Sequence, residues 1–287
     1  MPSLPHDASR DSLFTPGAAT DFFTWGILPD EAALCAEMAR VAYVKEEERL
    51  RDYLAAARYA DISGFDLHLT CGYQSGGMQA FVAGAQGVAV VAFRGTETDD
   101  PSDLFTDLNF PLTDWAPKGA QQGRVHEGFA GSLSEAFYHS LIAAIPAGTH
   151  RVLFTGHSLG AALATLAASR YAQPGALYTF GSPRVGDATF ARSLSHVEHA
   201  RFADCCDMVT RVPPEEFGYQ HTGTLHYINR DGQVSISPPE EQIEIDRQTA
   251  SRTYLFSHAF QHGTVPVREL ADHTPMNYVS AAAGWRS

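Results

Sequence analysis

Apolar and polar residues alternate along the chain in two rhythms. From Pro29 to about Tyr59, Leu34, Met38, Val41 and Ala42 fall on one face with Glu and Arg opposite, which predicts helix. The runs GMQAFVAG and GVAVVAFRG, joined through Gly84-Ala85-Gln86-Gly87, predict a hairpin over Met78–Gly95. Val88–Phe93 is apolar without interruption, as in a strand covered on both faces. Gly128–Ile145 reads as helical and Arg151–Thr155 as a second buried strand. Leu159–Tyr171 is apolar almost all round and predicts a buried helix. Beyond it come a strand at Ala176–Phe180, a helix at Asp187–Leu194 and a short strand at Ala200–Ala203. Leu225–Asn229 and Gln233–Ile236 flank the turn signal Arg230-Asp231-Gly232, and a last helix covers Pro275–Gly284. Strands alternating with helices predict an α/β fold, with a mostly parallel central sheet and helices on both faces. A single domain is expected over 21–287, preceded by a flexible arm at 1–20 that is rich in Ser, Pro, Asp and Gly.

Composition narrows the function classes. The 287 residues are 44% hydrophobic and 18% charged, with a formal charge of −13 and only 20 Lys and Arg, so nucleic acid is a poor ligand. Cys35, Cys71, Cys205 and Cys206 show no metal or redox spacing and are expected as reduced thiols. The opening MPSLPHDASRDSLF has no apolar signal core, and no stretch approaches the roughly 18 apolar residues of a membrane span. A soluble protein is expected, cytoplasmic or secreted, with a monomer as the default.

The chemistry starts at RVLFTGHSLGAALATLAA, where a strand runs into Gly156-His157-Ser158-Leu159-Gly160 and a helix follows at once. A G-x-S-x-G pentapeptide in that setting is the nucleophile elbow of an α/β-hydrolase. The turn leaves no room for side chains two residues either side of Ser158, hence two glycines. The helix start offers amide donors to an oxyanion. Serine is a poor nucleophile unless a histidine, held by a carboxylate, takes its proton. In this fold the order is Ser, acid, His. Asp187, Asp204 and Asp207 are the candidate acids; Asp187 is well explained as a helix cap, and spacing does not separate the other two. Among His221, His226, His258, His262 and His273, the base is placed at His273, just before the last helix.

Six segments in this order resemble the class 3 lipases, the filamentous-fungal type of triacylglycerol lipase: AFRGTE (92–97), VHEGF (125–129), TGHSLGAALA (155–164), FGSPRVGD (180–187), DMVTRVPP (207–214) and DHTPMNYV (272–279). The resemblance implies an α/β-hydrolase with a short helical lid, Asp207 as triad acid and His273 as base. It implies an oxyanion hole made by Thr96 and the backbone N–H of Leu159, and His221 as supporting structure. Cys205-Cys206 departs from the family's usual polar residues. The implied activity is ester hydrolysis, on acylglycerols at a lipid–water interface, without metal or organic cofactor; feruloyl esterase and phospholipase A1 are the alternatives. A non-catalytic binding scaffold is the remote one. The lid is expected at Glu97–Asn109, with Leu104, Phe105 and Leu108 on one face of a helix capped by Ser102. Pro183, Met208 and Val209 complete the candidate substrate contacts. Asp99, Asp100, Asp103 and Asp107 would disfavour anionic membranes. Higher activity on anionic vesicles than on neutral emulsions would exclude that effect.

Overall fold

The structure is a computed structural model that describes residues 4–18, 28–44, 47–56, 58–59, 62–63, 66–70, 80–85, 87–95, 110–119, 121–173, 175–258, 261–284 and 286. The main sheet has eight strands whose spatial order follows the chain: β1 (Asp66–Thr70), β2 (Ala80–Ala85), β3 (Val88–Phe93), β4 (Arg151–His157), β5 (Gly175–Phe180), β6 (Glu198–Asp204), β7 (Thr224–Ile228) and β8 (Val234–Ile236). β3 to β7 are parallel, and the antiparallel pairs lie at the two edges.

The uninterrupted apolar strands serve two cores. Val90, Ala92 and Leu153 point to one side, where helix α1 (Glu31–Val41) brings Leu34, Met38 and Val41. Val91, Phe93, Val152 and Phe154 point to the other, against helix α2 (Leu159–Arg170). Sandwiched between helices, these strands have no polar face to show, which removes the period-two alternation. Helices α3 (Glu240–Ser257) and α4 (Pro275–Ala282) close the C-terminal half. Among the described residues no helix is long and apolar enough to cross a membrane.

Three expectations need correction. The helical stretch at Pro29–Tyr59 is two helices, Glu31–Val41 and Glu47–Ala56, separated by the turn after Val41. The eighteen-residue helix α3 falls where no helix is predicted. Its inward stripe is Ile243, Asp246, Ala250 and Tyr254, and a carboxylate in the stripe hides the periodicity. Asp246 is paid for there by bonds from the Tyr227 hydroxyl (2.9 Å), the Arg230 amide (2.9 Å) and the Arg230 guanidinium (3.0 Å). Finally, residues 4–18 are not a free arm. Leu4 bridges to Arg286 and Ser9 to Thr264, Leu13 is buried, and Asn277 exchanges hydrogen bonds with both the amide and the carbonyl of Asp7 at 2.9 Å. A Pro- and Ser-rich composition does not reveal such long-range partners.

β6 contains a histidine fixed for structure. His199 is buried, its Nε2 2.9 Å from Thr179 Oγ1 and its Nδ1 3.1 Å from Thr222 Oγ1. Burial, followed by the Arg201 charge, lowers its pKa from 6.5 to about 3. Protonation therefore favours the unfolded chain: the contribution to stability is complete above pH 6.5 and declines as pH falls toward 3. The melting temperature of His199→Asn is expected to fall less than that of the wild type between those pH values, as measured by thermal scans across the range.

Candidate active site

The parallel strands end together, and the site forms at their C-terminal edge. Phe93 at the end of β3 pairs with Gly156 of β4, so residues 94–95 reach the turn that follows β4. At that turn Ser158 has φ 59° and ψ −129°, a strained backbone for a residue with a side chain. A Cβ on Gly156 would lie 2.3 Å from the Gly160 carbonyl, and one on Gly160 2.2 Å from the Phe93 oxygen. Backbone occupies both spaces, which is the steric reason for the two glycines. Gly160→Ala is expected to destabilise by about 3 kcal/mol, whereas Gly131→Ala, on a helix with open space around it, stabilises by roughly 0.5 kcal/mol. Denaturant titration of both variants checks the contrast.

The strained turn leaves the Ser158 side chain free of any bond to the helix start. Its Oγ lies 2.9 Å from His273 Nε2. His273 Nδ1 lies 2.9 and 3.1 Å from the two oxygens of Asp207. An ionised carboxylate only accepts, so Nδ1 carries the proton and the Nε2 lone pair faces the serine hydroxyl. Asp207 follows the end of β6 and is fully buried. It also accepts the Val209 amide at 2.8 Å and the Tyr278 hydroxyl at 2.5 Å. The Tyr278 oxygen in turn accepts the Asp204 amide at 3.0 Å. His273 sits in the link between the short helix Arg268–Ala271 and α4. Gly181, at φ +59°, passes close beneath: a Cβ there would lie 2.8 Å from Asp207 Oδ2 and 3.1 Å from His273 Nδ1.

The other acids and histidines lie elsewhere. Asp204 pairs with Arg286 rather than with any imidazole. Asp187 caps the helix Ala188–Ser193 by accepting the Phe190 amide at 2.8 Å. His221 Nε2 bonds the Thr210 carbonyl at 2.7 Å, bracing the loop after Asp207. His226 stacks on Phe202, and His258 caps α3. His157, next to the nucleophile, is held neutral by burial and then by the adjacent His273, with Nδ1 2.9 Å from the Tyr43 hydroxyl.

A cavity of about 230 Å³ opens beside Ser158. Leu159, Pro183, Val209, Val212 and Pro213 line one part of it, and Phe110, His126 and Phe129 another. Its wall is almost wholly apolar. Pro183 and Val209 are on its wall; Met208 is not among its lining residues, and its backbone amide donates to the Glu269 carbonyl at 3.3 Å. A larger cavity of about 620 Å³ lies by Glu198 and Thr224, the opening residues of β6 and β7, and holds none of the Ser158 group. The Leu159 N–H belongs to the first turn of α2, where amides lack intrahelical acceptors, and is thus available to an oxyanion. Thr96, Leu104, Phe105, Leu108 and the whole expected lid lie outside the described residues, as does Cys71. Cys205 and Cys206 are buried with Tyr227, Ile243 and Ala250.

The sheet, with a serine raised on a strand-to-helix turn, defines an α/β-hydrolase. Residues 90–217 match the family described as lipase (class 3). The chain is similar to this family over that stretch, which is less than half of its length. It is 32% identical over 171 residues to a lipase of Rhizopus niveus, covering 54% of this chain and 42% of that protein. It is 34% identical over 158 residues to the secreted mono- and diacylglycerol lipase MDL3 of Malassezia globosa, covering 48% and 51%. The chain thus spans about half the length of the curated relatives it matches. The crystal structure of a lipase from Rhizopus microsporus var. chinensis superposes with a TM-score of 0.51 at 27% identity, covering 79% of this chain and 82% of that one.

Proposed function

We propose that this chain hydrolyses carboxylic esters, with acylglycerols as the substrate class and one catalytic domain onto which residues 4–18 dock. The observation that carries the reading is the continuous hydrogen-bonded line from Ser158 Oγ through His273 to Asp207, beside an apolar cleft. Ser158 attacks the ester carbonyl while His273 Nε2 takes its proton. Asp207 fixes the His273 tautomer and stabilises the imidazolium. The Leu159 amide, joined by Thr96, stabilises the oxyanion. His273 then protonates the leaving alcohol, and water hydrolyses the acyl-enzyme by the same route in reverse. The apolar wall around Ser158 suits an acyl chain better than a sugar or a nucleotide. The match of residues 90–217 to the class 3 lipases and the resemblance to a mono- and diacylglycerol lipase support the acylglycerol assignment.

Initial rates on tributyrin, triolein, monoolein, a feruloyl ester and phosphatidylcholine test the reading. Glycerides are expected to lead the panel. A lead by the feruloyl ester or the phospholipid reassigns the substrate. No turnover of any ester, together with no labelling of Ser158 by an organophosphate, would return the chain to a binding scaffold.

A further inference from the structure

A fully buried carboxylate adjoins the proposed base and has no part in the steps above. Asp272 Oδ2 accepts the backbone N–H of Cys206 at 2.9 Å. Its Oδ1 lies 2.7 Å from His6 Nε2. Arg268 Nε reaches both oxygens at 3.2 Å, and Arg268 also donates to the Arg230 carbonyl at 2.9 Å. The covalent neighbours give this arrangement its meaning. Asp272 immediately precedes His273, and Cys206 immediately precedes Asp207. One carboxylate therefore joins the backbone beside the base to the backbone beside the acid, between loops 66 residues apart.

A contribution to stability alone is a weak explanation of this group. A buried ion pair is often matched or exceeded by apolar residues of similar size, because desolvation cancels much of the attraction. Direction is what an apolar pair cannot supply. Asp272 is held ionised: burial opposes its charge, but the His6 hydrogen bond and the Arg268 charge more than compensate and lower its pKa to about 2. Burial lowers the pKa of His6, and because an ionised carboxylate only accepts, the His6 Nε2–H is the donor. His6 lies in the N-terminal segment, which thereby becomes a third support of the catalytic loops.

We infer that Asp272 is a positioning residue that holds the acid loop and the base loop in register, with His6 as its outer support. The inference rests on the ester-hydrolase reading. Misplacing a reacting group by about 1 Å costs on the order of a hundred-fold in rate, which sets the scale of the effect.

The test is steady-state hydrolysis of tributyrin by the full chain, with active sites counted by organophosphate titration and folding followed by circular dichroism. Asp272→Leu is expected to lower kcat by about 100-fold with KM changed by less than about 3-fold. Asp272→Asn keeps an oxygen for the Cys206 amide and is expected to stay within about 10-fold of wild type. A purely structural ion pair would lower the melting temperature and leave kcat per titrated site unchanged. A folded Asp272→Leu with kcat within about 3-fold of wild type overturns the inference. Should Asp272→Leu not fold, His6 decides. His6→Ala is then expected to lose about 5-fold in kcat at constant KM, with His6→Gln restoring most of it. Unchanged kcat in folded His6→Ala overturns the inference in that case. An inactive, unlabelled wild type removes the hydrolase reading and this inference together, whereas an active wild type with unaffected variants removes only this inference.

Discussion

Ser158→Ala is expected to reduce ester turnover by about 10^5-fold while leaving the melting temperature nearly unchanged. Removing Oγ deletes the only atom that bonds to the carbonyl carbon, and neither His273 nor Asp207 can substitute from its position behind the serine. The fold is spared because Oγ caps no helix. The turn itself is held by backbone bonds, Ser158 N–H to the Phe180 oxygen and Ala161 N–H to the Ser158 oxygen, both 3.0 Å and both kept by alanine. Rates per mole of folded protein, with thermal scans of the same samples, check both halves of the expectation. A variant retaining more than about a tenth of the activity would place the nucleophile elsewhere.

The second large effect separates two aspartates that share the end of β6. Asp207→Asn is expected to lower kcat by about 10^4-fold, because an amide permits the wrong His273 tautomer. It also places an NH₂ either against the Val209 amide, two donors face to face, or against the Tyr278 hydroxyl, which must then turn its hydrogen away to accept. Asp204→Asn is expected to stay within about 10-fold of wild type, since Asp204 meets Arg286 and only its backbone amide touches the triad's surroundings. Parallel kcat measurements on the two variants settle the ranking, and the reverse order would mean that Asp204 is the acid.

The local parts of this molecule were readable in the residues, and the long-range parts were not. Val88–Phe93 and Arg151–His157 announce themselves because a strand covered on both faces is apolar throughout. The elbow is equally legible, since both of its glycines answer to clashes within a few residues or with the adjoining strand. Spacing alone could not choose between Asp204 and Asp207: only two residues separate them, and the difference lies in partners, Arg286 for one and His273 for the other, each at least 66 positions away. Tyr278 was visible as part of a helix, but its bond to Asp207 depends on how that helix packs. Helix α3 escaped because Asp246 interrupts its apolar stripe, and the docking of residues 4–18 depends on Asp272 and Asn277 at the far end of the chain.

The distance along the chain between hydroxyl and imidazole has a consequence for biosynthesis. Ser158 and His273 are 115 positions apart, and the loop bearing His273 is anchored through Asp272 to His6 near the beginning of the described chain. During synthesis the elbow emerges from the ribosome long before its base, so the nascent polypeptide carries an unactivated alcohol. On the proposed reading, hydrolytic competence requires the segment 268–282 to dock, and regain of esterase activity after dilution from denaturant is expected to report that long-range closure.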